Sequence, residues 1–496
     1  MKNRLISVLL VLLFASSALT SCGTSETAAE DAEQISAQPE AAAEQETEPE
    51  TEAETEKIYP EYTDTFNGSD FSILYYDAVA ACGWGNTIPC DIAVEELTGD
   101  ALSDAIYYRN AAMEERYDIK FRTESITDST KCTPIQEQVA SGSAEYDACF
   151  PAWNSLYNMI VNGHLTDLET VFDFSKPWYD AKARDAFSIL GKSYATISDL
   201  TYMDKMLSIV ILYNKQLAED YALGDLYQTV LDGGWTFDLM KEMCQKVSSD
   251  LNGDGQMTKE DRYGIINQND GVYQLYQSAG QQFCTLNEEG IPELSIDNEQ
   301  AVAVFQQVYD FLGNTDIFFN RQTQGVDTIG VCNMFANNQA LFIMRQIQVA
   351  FELRTMEADF GIIPTPKVLE DQEDYYTSIG YTVTLSEAIP SIVKDLRMSA
   401  VVLDTMAAES YYSVNEALYE KILGGKIVRD ETSRQNLDII LDNRVYDPGC
   451  VYNFGNVTNT MMGGWQKGSD QVASIIAGTT KMVNKMIEKF VDVLKG

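Results

Sequence analysis

The sequence predicts an α/β fold on three observations. Short apolar or aromatic runs of strand length recur, stretches with apolar residues at helical spacing lie between them, and the two alternate from Phe71 to Pro151. "FSILYY" (Phe71 to Tyr76) is the first strand, being short, aromatic and branched. In "ALSDAIYYRNAAMEERYDIKF", Leu102, Ile106, Met113 and Tyr117 recur at helical spacing, and "IKFRTESI" follows as a strand. A second helix is expected at Thr133 to Ser141, and "YDACFP" (Tyr146 to Pro151) as a third strand. This order belongs to a parallel sheet covered by helices, where ligands collect at the carboxyl ends of the strands.

The pattern resumes at "LSIVILYNK" (Leu207 to Lys215), apolar enough for a fully buried strand. A helix near Thr236 to Val247, the strand "RYGIINQ" and a helix near Glu299 to Leu312 follow, with "ADFGIIPTP" and "YTVTLS" as further strands. The chain closes on an amphipathic helix in which Ile475, Met482, Met486, Phe490 and Val493 recur at roughly helical intervals. No repeat at solenoid periods is visible.

The beginning of the chain has a different character. "MKNRLISVLLVLLF" is a basic start followed by a short apolar run, which reads as an export signal. From Gly23 to Glu56 there are twelve Asp or Glu, no Lys or Arg, and only Ile35 among aliphatic residues larger than Ala. Such a segment buries too little apolar surface to offset its ordering entropy and is expected to be a disordered, self-repelling spacer. The signal contributes +2 and the spacer −12 to the formal charge of −42, leaving −32 on the 440 residues from Lys57 onward. That charge argues against nucleic acid or anionic lipid as a partner. Eight cysteines besides Cys22 show no C-x-x-C spacing, so neither a zinc site nor a dense disulfide scaffold is signalled; Cys82 and Cys90 are close enough in sequence to be either bridged or free.

"DLNGDGQMTKED" (Asp250 to Asp261) has the spacing of a calcium loop. Side-chain oxygens fall at positions 1, 3, 5 and 12 (Asp250, Asn252, Asp254, Asp261), Gly255 stands at 6, and the Gln256 carbonyl completes the set. Calcium sensors pair such loops between helices. A single loop between a helix and a strand is expected to brace that connection, the alternative being an Asx-rich turn without metal.

"LTSC" (Leu19 to Cys22) resembles the lipobox of bacterial lipoprotein precursors, which implies a lipidated Cys22 at the mature N-terminus. Further on, "SGSAEYDACFPAW", "GHLTDLETV…KPWYD", "LYNKQLAEDY", "GGWTFDLMKEM", "FANNQALFIMRQ", "ADFGIIPTPK" and "SYYSVNEALYEKIL…RDETSRQNLDIILDNRVYD" stand in an order that resembles the extracellular solute-binding proteins of ABC importers, the family that includes the maltose-binding protein. The resemblance covers nearly all of the chain after residue 57. It implies a two-lobed periplasmic-binding-protein-like (Venus flytrap) fold with discontinuous lobes joined by hinge strands. By analogy, residues 57–206 and 381–445 form lobe one, and 207–380 and 446–496 lobe two. The implied protein is a monomer, lipid-anchored on the extracellular face of the cell membrane, that captures a saccharide between its lobes and delivers it to permease subunits.

Sugar recognition needs flat apolar faces for pyranose rings and planar hydrogen-bonding groups for hydroxyls. Trp153 and Asn154 follow the strand "YDACFP", and Trp84 lies in the loop after the first strand. The matching positions of lobe two are Asp270 and Tyr273 after "RYGIINQN", and Arg345 and Gln346 after "ALFIM". Tyr202 and Asp204 precede the first crossing strand and Tyr381 begins the returning one. Related sugar binders often carry Gly-Pro-Trp after the "ALFIM"-like strand; "RQIQ" here supplies no stacking face. Trp178 and Trp235 sit in helix-associated segments and read as core.

No catalytic motif competes with binding. The chain has a single His, His164, in the helix-like "YNMIVNGHL", and no G-x-S-x-G, H-E-x-x-H or phosphate-binding glycine loop. A carboxylate pair of the glycosidase kind cannot be located from spacing. Within binding proteins, a peptide, a polyamine or another cation is the alternative ligand, and an adhesive surface lipoprotein the alternative role. Carboxylates concentrated in the cleft would favour a cation, and stacked aromatics a glycan.

Overall fold

A computed structural model describes residues 57–84, 87–424 and 431–496 of the chain. The export signal, Cys22 and the acidic spacer lie outside the described residues. Residues 57–496 form one compact unit.

The strands are β1 (Ser69–Tyr76), β2 (Ile119–Ile126), β3 (Ala148–Phe150), β4 (Ile209–Asn214), β5 (Tyr263–Asn267), β6 (Cys284–Leu286), β7 (Pro292–Leu294), β8 (Phe318–Asn320), β9 (Ala340–Gln346) and β10 (Phe360–Ile363). A three-stranded sheet has the order β2-β1-β3, all parallel, with Ile73 opposite both Thr123 and Ala148. The helix Ala101–Tyr117 crosses over between β1 and β2, is capped by the Asp100 carboxylate on the Ser103 N–H, and buries Leu102, Ile106, Met113 and Tyr117. The helix Thr133–Ser141 makes the next crossover, to β3.

The second sheet has five strands in the order β10-β4-β9-β5-β8. It is mixed: β5 runs parallel to β8 and β9, while β4 runs antiparallel to both β9 and β10. Every residue of β4, β5, β9 and β10 is buried, which explains why these strands read as apolar runs without alternation. The helix Phe237–Val247 packs on β5 so closely that a side chain at Gly264 would collide with Cys244.

Three crossing segments run side by side between the sheets. Ser208 pairs with Ile379, and Thr377 with Arg444. "YTVTLS", expected as a strand, makes one isolated bridge, Leu385 to Ala152, and the residues just after it make two more, Glu387 to Thr196 and Ala388 to Cys149. Its backbone partners are taken up singly from different segments, so no continuous ladder forms. The helix Glu431–Asp442, expected with lobe one, packs instead on β10 and the helix Leu226–Leu231, with Asn436 Nδ2 donating to the Tyr227 carbonyl at 3.4 Å. Its buried face, Ser433, Asn436, Leu437 and Ile440, finds its cover there.

The terminal helix Val472–Lys495 forms as expected, but Met482 and Val493 face solvent. The buried stripe is Ile475, Ile476, Thr479, Val483, Ile487, Phe490, Val491 and Leu494, and Phe490 stacks on Tyr157 at 5.7 Å. Cys82 and Cys90 are both free thiols. Among the described residues no helix is long and apolar enough to cross a membrane.

Candidate functional site

The carboxyl ends of β5, β8 and β9 bring Gln268, Asp270, Arg321 and Arg345 together. One amide oxygen, Gln268 Oε1, accepts from Arg345 Nη1 and from Arg321 Nε, the latter at 2.6 Å, while Gln268 Nε2 donates to Asp270 Oδ2. Burial pushes the Asp270 carboxyl above its usual range, opposed by the Arg345 charge. Arg321 and Gln268 are not among the residues expected from the sequence. The signal for both was available: each borders the carboxyl end of a strand that pairs in parallel within one sheet, which is where ligands gather.

Tyr273 and Tyr381 meet edge to face at 5.2 Å, and the Tyr381 hydroxyl bonds Asn459 Oδ1 at 3.0 Å. From the other side, the Trp153 backbone N–H donates to the Thr384 carbonyl (3.1 Å) and Asn154 Nδ2 to the Thr382 carbonyl (3.5 Å). The returning segment 381–384 therefore joins the two sets of expected residues. The loop after β1 closes on the end of β9: Gln348 Nε2 donates to Thr87 Oγ1 at 2.9 Å, beside buried Trp84.

Several of these positions carry side-chain polar atoms left unpaired. Among the described residues, Trp153 Nε1, Asn154 Oδ1, Arg345 Nε, Gln346 Oε1 and Gln348 Oε1 are buried with no hydrogen-bond partner. Native interiors pair nearly all such atoms, so orphans at residues expected to meet a ligand are candidates for pairing with one. The three fully buried tryptophans make the contrast plain. Trp178 donates to Asp404 Oδ1 (2.8 Å) and Trp235 to the Pro364 carbonyl (2.9 Å), as core tryptophans should. The Trp153 indole N–H is unpaired.

Several expectations need correction. Trp153 is 1% exposed, with Phe187 and Tyr446 against its ring at 5.8 and 6.2 Å, so it offers no open face for stacking. Tyr202 is fully buried and donates its hydroxyl to the Pro89 carbonyl at 2.5 Å, away from the crevice. Asp204 belongs to a buried ion network at the crossing, with Arg444 Nε at 3.4 Å, Lys205 Nζ at 3.9 Å and the Tyr446 hydroxyl at 2.9 Å. Both residues precede a crossing strand, and sequence position alone does not tell the crevice side of a hinge from its core side. His164 follows the end of its helix at Val161, and burial lowers its pKa. A half-buried tryptophan missed from the sequence, Trp465, donates Nε1 to Asn269 Oδ1 at 3.0 Å. Nothing local announces it, because only the packing of the C-terminal segment brings it to β5.

A cavity of about 840 Å³ lies between residues 182–191 and 280–290, walled also by Tyr376, Arg444 and Tyr446. Its lining contains none of the expected residues and, among the described residues, no buried unpaired polar atom. The orphaned groups favour the ends of β5, β8 and β9 over this cavity.

In the loop Asp250–Asp261, Asp250 accepts from the N–H groups of Gly253 (2.7 Å) and Gly255 (2.8 Å), and Asp261 from Leu251 (2.9 Å) and Thr258 (2.7 Å). These bonds hold the Asp261 carboxyl below its usual range against its burial. Among the described residues no three His, Cys, Asp or Glu side chains converge as a metal-holding group.

The chain matches no family model, and no curated protein matches it in sequence. Solved structures do resemble it. An ABC substrate-binding protein of Listeria monocytogenes in complex with cycloalternan is 15% identical over 85% of this chain and 99% of its own, with a TM-score of 0.54. The maltose/maltodextrin-binding domain MalE of Bdellovibrio bacteriovorus bound to maltotriose is 15% identical over 84% and 100%, with a TM-score of 0.53. An ABC transporter solute binding protein of Thermotoga lettingae bound with α-D-tagatose is 14% identical over 85% and 100%, with a TM-score of 0.53. The fold is therefore the two-lobed one of periplasmic binding proteins.

Proposed function

We propose that this two-lobed chain is the substrate-binding protein of an ABC transporter, taking a saccharide into the crevice between β5, β8, β9 and the segment 381–384 and handing it to a permease. One observation carries this reading: expected residues from both sides, Trp153 and Asn154 on one and Arg345 and Gln346 on the other, each keep a buried polar atom with no partner in the protein. Hydroxyl groups of a sugar are both donors and acceptors and suit such a mixed set. Structures of this fold that hold cycloalternan, maltotriose or α-D-tagatose agree with it. Trp465, half-buried, supplies the aromatic surface that Trp153 does not.

A thermal-shift screen against mono- and oligosaccharides, peptides and polyamines tests the reading, since a ligand bound only by the folded state raises the melting temperature. A saccharide is expected to do so, and small-angle scattering is expected to show a more compact particle with it. Gln346→Ala should then weaken binding about tenfold, the equivalent of one net hydrogen bond. No shift with any saccharide would sink the proposal.

The membrane anchor is part of the same proposal. The lipobox-like "LTSC" and the acidic spacer support lipidation at Cys22 and tethering to the extracellular face of the membrane. Cys22→Ala should release the protein to the medium or leave it uncleaved; a variant still processed and retained in membranes would exclude this anchor.

The loop Asp250–Asp261 is proposed as a structural calcium site, on its donor chemistry: Asp250, Asn252, Asp254 and Asp261 by side chain and Gln256 by its carbonyl. A chelator should lower the melting temperature, and Asp254→Ala should abolish that sensitivity while the protein still folds. Identical melting with calcium and with chelator would rule the metal out.

A further inference from the structure

The chain has 76 Asp and Glu against 34 Lys and Arg, so a buried arginine has no shortage of carboxylates to pair with. Two arginines outside the crevice are fully supplied with partners. Arg444 bridges Asp180 at 2.7 Å, and Arg109 donates to the carbonyls of Leu200 and Asp91 and to the Ser410 hydroxyl. Arg345 and Arg321 have less: among the described residues neither takes part in an ion pair, and each guanidinium makes a single hydrogen bond.

Both guanidinium groups instead share the neutral amide oxygen Gln268 Oε1. Arg345 is 6% exposed, and with Nη1 committed to Gln268 its Nε is left with no acceptor. Arg345 lies in the field of Arg321, and Asp270 is the carboxylate that acts on both, while Asp327, which caps the helix Thr328–Ala336, also acts on Arg321. A buried guanidinium with a free fork is completed best by a planar two-oxygen anion.

We propose that Arg345 and Arg321 bind a carboxylate of the ligand, so that the saccharide is an acidic one, an oligomer of hexuronic acid. This rests on the saccharide reading above and narrows it. It also sets aside the polyamine alternative, because the same pair repels a cation.

The test is titration calorimetry on the full chain with trigalacturonate and trimannuronate against their neutral counterparts, galactotriose and mannotriose. At least one uronate trimer is expected to bind ten times or more tighter than its neutral counterpart, and to weaken as salt is raised. Arg345→Gln and Arg321→Gln should each remove that advantage, weakening the uronate trimers about tenfold more than the neutral ones. Arg321 is only half-buried, so it provides the reading if Arg345→Gln does not fold. Equal affinity for acidic and neutral trimers, or an Arg345→Gln or Arg321→Gln loss of the same size for both, would overturn anion recognition and leave saccharide capture standing. Binding of spermidine with no saccharide bound would overturn both.

Discussion

Trp153→Ala is expected to lower the free energy of unfolding by about 3–5 kcal/mol, the cost of deleting a fully buried tryptophan from a packed site. The indole sits at the first turn of the helix Trp153–Val161, 1% exposed, in contact with Phe187 and Tyr446. Loss of the ring leaves a cavity that its neighbours, both held by their own packing, cannot close. Trp153→Phe separates packing from pairing, because it keeps an aromatic ring and removes the unpaired indole N–H. It should cost much less stability and still weaken ligand binding about tenfold if that N–H meets the ligand. Urea unfolding of both variants decides: a Trp153→Ala midpoint equal to the parent's would mean that the ring is not packed as described.

Arg444→Met should be comparably costly, about 3–5 kcal/mol, because it strips the partner from charges that cannot reach water. The guanidinium lies 2.7 Å from Asp180 and 3.4 Å from Asp204, with side-chain exposures of 11% for Arg444, 20% for Asp180 and 1% for Asp204. The Tyr446 hydroxyl donates to both carboxylates, at 3.0 and 2.9 Å. The network ties a residue before the first crossing segment to the third, so it fixes how the segments run beside one another. Adding Asp204→Asn to Arg444→Met should recover part of the loss by removing the stranded charge. Chemical denaturation at neutral pH measures this, and a loss below about 1 kcal/mol for Arg444→Met would show that the network does not hold the crossing.

The strands and helices were legible where the pattern is local. β1, the helix Ala101–Tyr117 and β4 follow from aromatic alternation, helical spacing and an unbroken apolar run, each a direct consequence of which faces are buried. "YTVTLS" misleads because branched residues favour extended backbone without specifying a ladder partner, and here only Leu385 finds one, in an isolated bridge to Ala152. The terminal helix was recognised, but a spacing that allows Met482 and Val493 as readily as Val483 and Leu494 does not say which face is covered.

The α/β class, the strand ends at which Asp270 and Arg345 stand, and the strong acidity against which an unpaired arginine becomes informative can be read along the chain. The packing of Trp153, the pairing of Asp204 with Arg444, the arrival of Arg321 and Trp465 at the end of β5, and the sharing of Gln268 by two guanidinium groups arise only in three dimensions. The physical reason is that strand periodicity and apolar burial are encoded by neighbours along the chain. Pairing of buried polar groups is settled between residues far apart in sequence, such as Asp204 and Tyr446, which meet only once the crossing segments lie side by side.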